Sequence, residues 1–242
     1  LARSLGAGET TLLKLTAAYA MLVNGGKRIE PSLIDRVQDR KGRTIWRHDR
    51  RACEGCVDVV WANQKVPELP EDRAQLVDPA TAYQMVSMLQ GVVERGTATV
   101  VKAVGKPLAG KTGTSNDFYD NWFIGFSPDL AVGVFIGFDT PRNMGTAESG
   151  GRNAAPVFRA FMQAALADTP PTPFRVPAGI RLVRTSSDTG LPAQPGDRNV
   201  IIEAFKSGTE QTGPGLLVGD DGASSAGPGG PRAAPRSLGG LY

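Results

Sequence analysis

An interrupted apolar stretch, residues 121–138, is the feature of the sequence that most restricts the fold. It reads "NWFIGFSPDLAVGVFIGF", and the Ser-Pro-Asp turn at 127–129 divides it into two runs rich in β-branched and aromatic residues. Two such runs on either side of a short polar turn predict a β-hairpin. A membrane-spanning helix would need about 20 consecutive apolar residues, which this divided stretch does not supply.

A lysine and three hydroxyl residues precede this hairpin. Residues 109–115 read "AGKTGTS", so that Lys111, Thr112, Thr114 and Ser115 surround Gly113. The spacing differs from the G-x-x-x-x-G-K-[ST] of a phosphate-binding loop, and no helical pattern follows. We therefore expect this segment to be a strand at the head of the sheet, where its lysine and hydroxyls are available to a ligand.

Helical patterns lie on both sides of these strands. In residues 9–24 apolar side chains recur at helical spacing, and a pair of glycines ends the pattern. Asp78 and Pro79 supply an N-cap and a first-turn proline for a second helix, which we expect to run to about Arg95 and to end at Gly96. A third helix, "AAPVFRAFMQAALAD", follows a glycine-rich loop. Four apolar residues of the second helix are expected in the core: Met85, Met88, Leu89 and Val92.

The remaining segments complete the expected fold class. The run "SLIDRVQDRKGRTIWRH" predicts a further β-hairpin around the polar turn "DRKG", and "FRVPAGIRLVRT" predicts at most a short strand. Helices thus precede and follow an antiparallel sheet without β-α-β alternation, which indicates an α+β fold. Residues 213–242 are mostly Gly, Pro, Ala and Ser without periodicity, and we expect them to form a disordered tail.

Composition argues against several classes of function. The formal net charge is +3, and Lys and Arg are scattered rather than clustered, which argues against a nucleic-acid partner. The single histidine, His48, lies in the charged stretch "TIWRHDRR" and is expected at the surface. One histidine excludes a multi-histidine metal site, and a Ser-His-Asp triad would have to use it. We expect neither a metal nor another cofactor.

The two cysteines, Cys53 and Cys56, form a C-x-x-C pair in "CEGC". Such a pair can be a redox centre, half of a zinc site or a disulfide. Zinc would need two further ligands where only His48 is near, and a thioredoxin-like centre should open a helix, whereas this segment has the composition of a loop. We favour a loop-closing disulfide, typical of an oxidising compartment, and a reduced pair is the alternative.

The run "KTGTSNDFYDNWFIGFSPDLAVGVFIGFD" resembles the K-T-G-T strand and following hairpin of penicillin-interacting transpeptidases. Flanking segments resemble bifunctional class A penicillin-binding proteins in the same order along the chain: "LGAGETTLLKLTAAYAMLVNGG", "DPATAYQMVSMLQGVVERGTAT", "ESGGRNAAPVFRAFM" and "FRVPAGIRLVRTSSDTG". The resemblance covers roughly residues 1–210. It implies the penicillin-binding protein transpeptidase or serine β-lactamase-like fold, present only in part, with helices flanking an antiparallel sheet.

The resemblance implies peptidoglycan cross-linking by D,D-transpeptidation, a serine acyl transfer on D-Ala-D-Ala stem peptides. In such a reaction Lys111, Thr112 and Thr114 would bind the terminal carboxylate of the substrate through charge-assisted hydrogen bonds. The backbone N–H of Thr114 would be one oxyanion donor, so Lys111 and Thr114 are the catalytic candidates. Gly113 would let the substrate lie against the strand. Ser115 is either a further substrate contact or a polar strand end.

The sequence also departs from the family pattern, because it contains neither the S-x-x-K motif of the nucleophile nor the S-x-N motif of the second catalytic serine. We therefore expect residues 1–168 to be the C-terminal portion of a transpeptidase domain and residues 169–212 its C-terminal extension. The nucleophile and a glycan-polymerising domain are expected upstream, and this chain alone is expected to be inactive.

Partners and alternatives follow from the same resemblance. The implied partners are stem peptides, lipid II, β-lactam antibiotics and the cell-wall synthesis machinery. The implied location is the periplasmic face of the bacterial inner membrane, through an anchor outside this chain. One alternative is a hydrolase of the same fold, either a D,D-carboxypeptidase or a serine β-lactamase-like enzyme. The other is a non-catalytic wall-binding module.

Overall fold

A computed structural model describes residues 8–53 and 69–211 and confirms the α+β class. Within these residues, three α-helices and seven strands form in this order: α1 (Leu12–Val23), β1 (Arg36–Gln38), β2 (Thr44–Arg47), α2 (Pro79–Arg95), β3 (Ala109–Thr114), β4 (Asp120–Phe126), β5 (Ala131–Gly137), α3 (Ala154–Ala165), β6 (Ile180–Ser186) and β7 (Val200–Lys206). The predicted tail, residues 213–242, lies outside the described residues, and so does Cys56.

The central sheet has the strand order β3-β4-β5, and both pairs are antiparallel. The predicted hairpin is confirmed as β4 and β5, joined at the Ser-Pro-Asp turn. Ser127 closes that turn, because its N–H donates to the Leu130 carbonyl (2.9 Å) and its hydroxyl accepts from the Leu130 N–H (3.1 Å). This turn sets the β4–β5 register, which pairs Phe126 with Ala131, while the β3–β4 register places Lys111 opposite Ile124 and Thr114 opposite Asn121.

Both faces of this sheet are covered by helices. On one face Phe123 packs against Phe158 of α3, with ring centroids 4.7 Å apart, and the 3₁₀ segment Thr99–Val104 joins the same cluster. On the other face Phe126 packs against Tyr19 of α1 and Phe174. Burying one such phenylalanine side chain contributes roughly 1.5–3 kcal/mol. The sheet is therefore a rigid support for the strand that carries the lysine.

Helix α2 begins and ends where the sequence predicts. Asp78 caps it by accepting from the Thr81 N–H at 3.0 Å, Pro79 occupies the first turn, and Gly96 follows the last residue. The predicted core face is wrong in part. Leu89 is buried, but Met85 and Met88 are 39% and 53% exposed.

The buried stripe of α2 consists of smaller side chains at helical spacing: Ala82, Val86, Leu89 and Val93. Neighbouring positions on a helix differ by about 100° in direction, so the two methionines belong to an adjacent stripe. Both stripes are apolar, and the prediction selected the larger side chains. Side-chain size alone does not identify the stripe that faces the sheet.

The C-terminal part of the described chain contains more strand than predicted. Instead of one short strand, β6 and β7 are seven residues each and pair antiparallel from Ile180 with Lys206 to Ser186 with Val200. The Gln84 side chain of α2 donates to the Ala204 carbonyl at 3.0 Å and so attaches this ribbon to the domain. Arginines interrupt the apolar pattern of β6 and weaken its sequence signal.

The first hairpin, β1 and β2, forms as predicted, with a register irregularity between Val37 and Gln38. Its turn is closed by the Asp39 carboxylate, which accepts from the backbone N–H groups of Lys41 and Arg43, each at 2.9 Å. Cys53 is disulfide-bonded. Its predicted pairing with Cys56 stays a prediction. Within residues 8–53 and 69–211, no helix is long and apolar enough to cross a membrane.

Candidate active site

Strand β3 lies at one end of the sheet order and pairs with β4 alone among the described strands. The Ser115 N–H, one residue after β3, donates to the Asp120 carbonyl at 3.0 Å. Backbone groups alternate in direction along an antiparallel strand, so the N–H and C=O groups of Thr112 and Thr114 point away from β4. These groups are therefore turned toward the outer edge of the sheet.

Lys111 is exposed on β3. Its ammonium group donates to the Thr112 carbonyl at 3.1 Å and lies 3.5 Å from the Thr112 hydroxyl. No carboxylate among the described residues forms an ion pair with it. The lysine thus places an uncompensated positive charge beside the outward-facing carbonyl of its neighbour.

The Thr112 hydroxyl contacts a residue that sequence analysis did not identify. Thr97, located just after α2, has its hydroxyl oxygen 2.8 Å from that of Thr112, and either oxygen can be the donor. One hydroxyl of the pair therefore retains a proton for another acceptor. Thr97 lies in "ERGTAT", where Gly96 indicates the end of the helix but no periodicity indicates the contact with Thr112.

Thr114, also exposed, is held by the glycine-rich loop between β5 and α3. The Gly150 N–H donates to the Thr114 hydroxyl oxygen at 3.1 Å. The hydroxyl proton of Thr114 then remains available to an acceptor, because its oxygen is the acceptor in this bond. The Thr114 hydroxyl oxygen is thus held in place by Gly150, while its hydrogen can be donated toward the edge of the sheet.

Glycine is required at position 150 by a close approach of backbones. A Cβ on Gly150 would lie 2.4 Å from the Trp122 carbonyl oxygen and 2.5 Å from the Gly113 carbonyl oxygen. Such distances are too short for any side chain, and the neighbouring atoms belong to the sheet itself. The loop can therefore lie directly on β3 and β4 only because this residue has no side chain.

The two remaining predicted residues have structural contacts of their own. A Cβ on Gly113 would lie 3.1 Å from the Trp122 Cβ, its partner across β3 and β4. The Ser115 hydroxyl accepts from the Asp120 N–H at 2.7 Å and closes the connection between the two strands. Ser115 is thus engaged as a strand-end residue, and a substrate contact by its hydroxyl proton stays a prediction.

The connection after Ser115 is strained. Asp117 and Phe118 both have φ of 57°, a left-handed conformation that is uncommon outside glycine. The loop after β5 supports them, because the Asn143 side chain donates to the Asp117 carbonyl and the Met144 N–H donates to the Phe118 carbonyl (3.1 Å). The glycine-rich loop thus contacts this strained turn as well as Thr114, at the same end of the sheet.

Comparison with known proteins agrees with this geometry. Residues 3–163 match the family described as "Penicillin binding protein transpeptidase domain". The chain belongs to the penicillin-binding protein transpeptidase family. Both the resemblance inferred from the K-T-G-T segment and the expected fold are thereby confirmed.

Comparison with curated relatives shows how much of their length this chain covers. The chain is 44% identical over 204 residues to penicillin-binding protein 1A of Rickettsia bellii, and it is 41% identical over 181 residues to that of Neisseria gonorrhoeae. The matches cover 84% and 74% of this chain but 25% and 21% of those proteins. The chain therefore spans about a quarter of the length of these curated relatives.

The crystal structure of penicillin-binding protein 1A from Haemophilus influenzae superposes with a TM-score of 0.71 at 29% identity. The superposition covers 89% of this chain and 34% of that one. Most of this chain thus has a structural counterpart within about a third of that larger protein.

Proposed function

We propose that this chain is the C-terminal part of a serine D,D-transpeptidase that cross-links peptidoglycan. Residues 1–168 would then complete the transpeptidase domain and residues 169–212 would extend it. The complete protein would carry the nucleophilic serine and its lysine base in S-x-x-K, together with a glycosyltransferase domain that polymerises lipid II. The names of the relatives and the fraction of their length that this chain covers support this proposal.

The outer edge of β3 is the observation on which the proposal depends. The Lys111 ammonium, the hydroxyl pair of Thr97 and Thr112, and the Thr114 hydroxyl all belong to or contact this one strand. A cation flanked by hydroxyl donors is suited to a carboxylate, because hydrogen bonds between charged partners are shorter and stronger than neutral ones. The terminal carboxylate of a D-Ala-D-Ala stem peptide is such a ligand.

Backbone groups of the same edge suit the rest of the substrate. The outward N–H and C=O of Thr112 and Thr114 could pair with an extended peptide in the manner of an added strand. The Thr114 N–H would then be near the scissile carbonyl and could donate to the oxyanion that forms when the serine attacks. One such donor contributes about 3 kcal/mol of transition-state stabilisation.

The reaction itself proceeds in two acyl transfers. The serine oxygen forms a bond to the carbonyl carbon of the penultimate D-alanine, the peptide C–N bond breaks, and the terminal D-alanine leaves with the proton taken from the serine. An amine of a neighbouring stem peptide then attacks the ester carbonyl carbon, the C–O bond to the serine breaks, and the proton lost by the amine returns to the serine oxygen as the cross-link forms. β-Lactams would acylate the same serine by opening their ring. The residues of this chain bind and orient the substrate in both steps.

The location and the remaining partners belong to the same proposal. A transpeptidase acts where peptidoglycan is assembled, at the periplasmic face of the bacterial inner membrane. A disulfide at Cys53 agrees with an oxidising compartment, since disulfides persist there and are rare in the cytosol. Lipid II and the cell-wall synthesis machinery would interact with the complete protein at this face of the membrane.

The test is the substitution Lys111→Ala in the complete protein. We expect acylation by a labelled penicillin to slow by about tenfold or more, because the cation for the carboxylate is lost. Lys102→Ala removes a half-exposed lysine of the 3₁₀ segment that pairs with Glu94, and it should leave acylation unchanged. Unchanged acylation in a folded Lys111→Ala protein would contradict the proposed carboxylate site.

The hydrolase alternatives differ in the second step rather than the first. With a D-Ala-D-Ala peptide and an amino acceptor, a transpeptidase forms the cross-linked product, whereas a carboxypeptidase releases only the shortened peptide. Mass spectrometry of the products separates the two, and a β-lactamase would instead turn over the labelled penicillin.

A further inference from the structure

Asn121 is a buried amide that the mechanism above does not use. It lies on β4, its side chain is fully buried, and neither its Nδ2 nor its Oδ1 has a hydrogen-bond partner among the described residues. Buried polar groups are nearly always hydrogen-bonded, because a buried donor or acceptor without a partner has lost its hydrogen bonds to water without replacing them. An amide with both ends unmet therefore requires an explanation.

The position of Asn121 relates it to the candidate active site. Asn121 is directly opposite Thr114 across β3 and β4, in a pair that does not exchange backbone hydrogen bonds. Side chains of such a pair lie on the same face and approach each other closely. The partner on its other side, Ile136 of β5, is apolar. Thr114 is therefore the polar side chain directly paired with the amide.

The Thr114 oxygen has capacity for a second donor. Its hydroxyl oxygen has two lone pairs, and the Gly150 N–H occupies one of them. A hydroxyl that donates its own proton to a carboxylate becomes a stronger acceptor, because hydrogen bonds in a chain polarise one another. Carboxylate binding at the outer edge of β3 would thus favour a further donor from the buried side.

We propose that Asn121 is a positioning residue that donates from Nδ2 to the Thr114 hydroxyl oxygen when a substrate carboxylate binds. The Asn121 and Gly150 N–H groups then occupy both lone pairs of that oxygen and direct its proton outward to the ligand. Asn121 Nδ2 does not form this bond in the structure, and catalytic hydrogen bonds commonly tighten only when substrate is bound. The inference rests on the proposed function of β3 as the carboxylate site.

The test is a double-mutant cycle in the complete protein, with Asn121→Leu and Thr114→Val. Each single substitution should slow acylation by a labelled penicillin by about tenfold, and the double variant should be no slower than the slower single one. A side chain that only maintained packing would give losses that multiply. Ile136→Leu, a packing change beside Asn121, is the control and should leave the rate unchanged.

A penicillin methyl ester, which lacks the carboxylate charge, supplies the second measurement. Its acylation rate should be lower than that of the free acid in the unmodified protein and unaffected by Asn121→Leu. Equal losses on acid and ester, or multiplying losses in the cycle, would overturn the inference. If the unmodified protein is acylated by neither compound, the proposed function fails instead.

The Asn121→Leu variant is expected to fold, so that a change in its acylation rate can be attributed to the lost amide. Leucine resembles asparagine in size, and replacing an unpaired buried amide with an apolar group should not lower the melting temperature. Should Asn121→Leu nevertheless fail to fold, Asn121→Val carries the same test, because its smaller apolar side chain cannot donate to the Thr114 oxygen. A folded Asn121→Val protein with the original acylation rate would also overturn the inference.

Discussion

The β1–β2 hairpin and the β4–β5 hairpin arise from similar local patterns but have different surroundings. Every residue of β1 and β2 is exposed, whereas five of the seven residues of β4 are buried. The first hairpin is closed by the Asp39 turn, and the second lies between α1 and α2 on one face and α3 on the other. A turn is enough to set a register, but only burial on both faces makes a strand rigid.

This difference matters for the candidate active site. Binding a carboxylate and an oxyanion requires donors held within a fraction of an ångström, which a rigid sheet provides better than a loop does. The lysine strand pairs with the buried strand β4, and the glycine-rich loop lies directly on both. Substitutions in the two hairpins should therefore have very different consequences.

The largest effect is expected for Phe123→Ala on β4. Phe123 is fully buried against Phe158, and a phenylalanine-to-alanine change in a core costs about 3–5 kcal/mol. Ile45→Ala on β2 removes a side chain that is 59% exposed and should change stability by about 0.5 kcal/mol or less. Denaturant unfolding of the complete protein measures both. Similar losses would show that the first hairpin is as strongly packed as the second.

A second comparison uses Gly42, in the β1–β2 turn, and Gly150, in the glycine-rich loop that lies on β3 and β4. Gly150→Ala forces a Cβ against two carbonyl oxygens of the sheet, so the loop must move and release Thr114. We expect acylation by a labelled penicillin to slow by about tenfold or more. Gly42→Ala, in the β1–β2 turn, meets no atom within 4 Å but has φ of 80°, so it should lower the melting temperature without affecting acylation.

The reverse result would be equally informative. If Gly42→Ala slowed acylation and Gly150→Ala did not, the first hairpin rather than the glycine-rich loop would support the carboxylate site.

Sequence reasoning succeeded where the determining chemistry is local. The boundaries of α2 follow from Asp78-Pro79 and Gly96, and the β4–β5 turn follows from Ser-Pro-Asp, all within a few residues of the element they define. The K-T-G-T segment identified the family for the same reason. None of these features depends on how distant parts of the chain pack.

The contacts that complete the candidate site depend on the tertiary fold. Thr97 meets Thr112 across 15 positions of sequence, and Gly150 meets Thr114 across 36. Neither pairing has a periodicity that a single sequence could reveal. Strand β7 was missed for a related reason, since its place is set by pairing with β6 and by the contact of Gln84 with Ala204.

A smaller effect is expected where α2 meets the β6–β7 ribbon. Hydrogen bonding to Lys206, at 2.9 Å, and to the Thr81 N–H and hydroxyl lowers the pKa of Asp78 below its ordinary value. A carboxyl whose folded-state pKa lies below its unfolded value of about 3.9 stabilises the fold above that pH, and this stabilisation is lost as pH falls through the folded-state pKa. Asp78→Ala should therefore lower the melting temperature at pH 7.

The pH dependence distinguishes this contribution from a packing effect. The melting temperatures of Asp78→Ala and the unmodified protein should converge as the pH falls below the unfolded value of about 3.9 and through the folded-state pKa. Asp168→Ala, which changes an exposed aspartate outside these contacts, should show no such convergence. A deficit in Asp78→Ala that persisted at low pH would assign the effect to the geometry of the helix terminus rather than to its charge.

The smallest effect is expected for Met88→Ala, which tests the corrected face of α2. Met88 is 53% exposed, so its truncation should change the free energy of unfolding by about 0.5 kcal/mol or less. The adjacent Leu89 is 7% exposed within the cluster that includes Ala109 of the lysine strand, and Leu89→Ala should cost about 2–5 kcal/mol. Denaturant unfolding of the complete protein compares the two. Met88 and Leu89 are neighbours in the middle of one helix, so helix propensity cannot account for a difference of several kcal/mol between the two variants. Burial of Leu89 against the sheet can account for it. A large loss from Met88→Ala would mean that another part of the complete protein covers the methionine stripe.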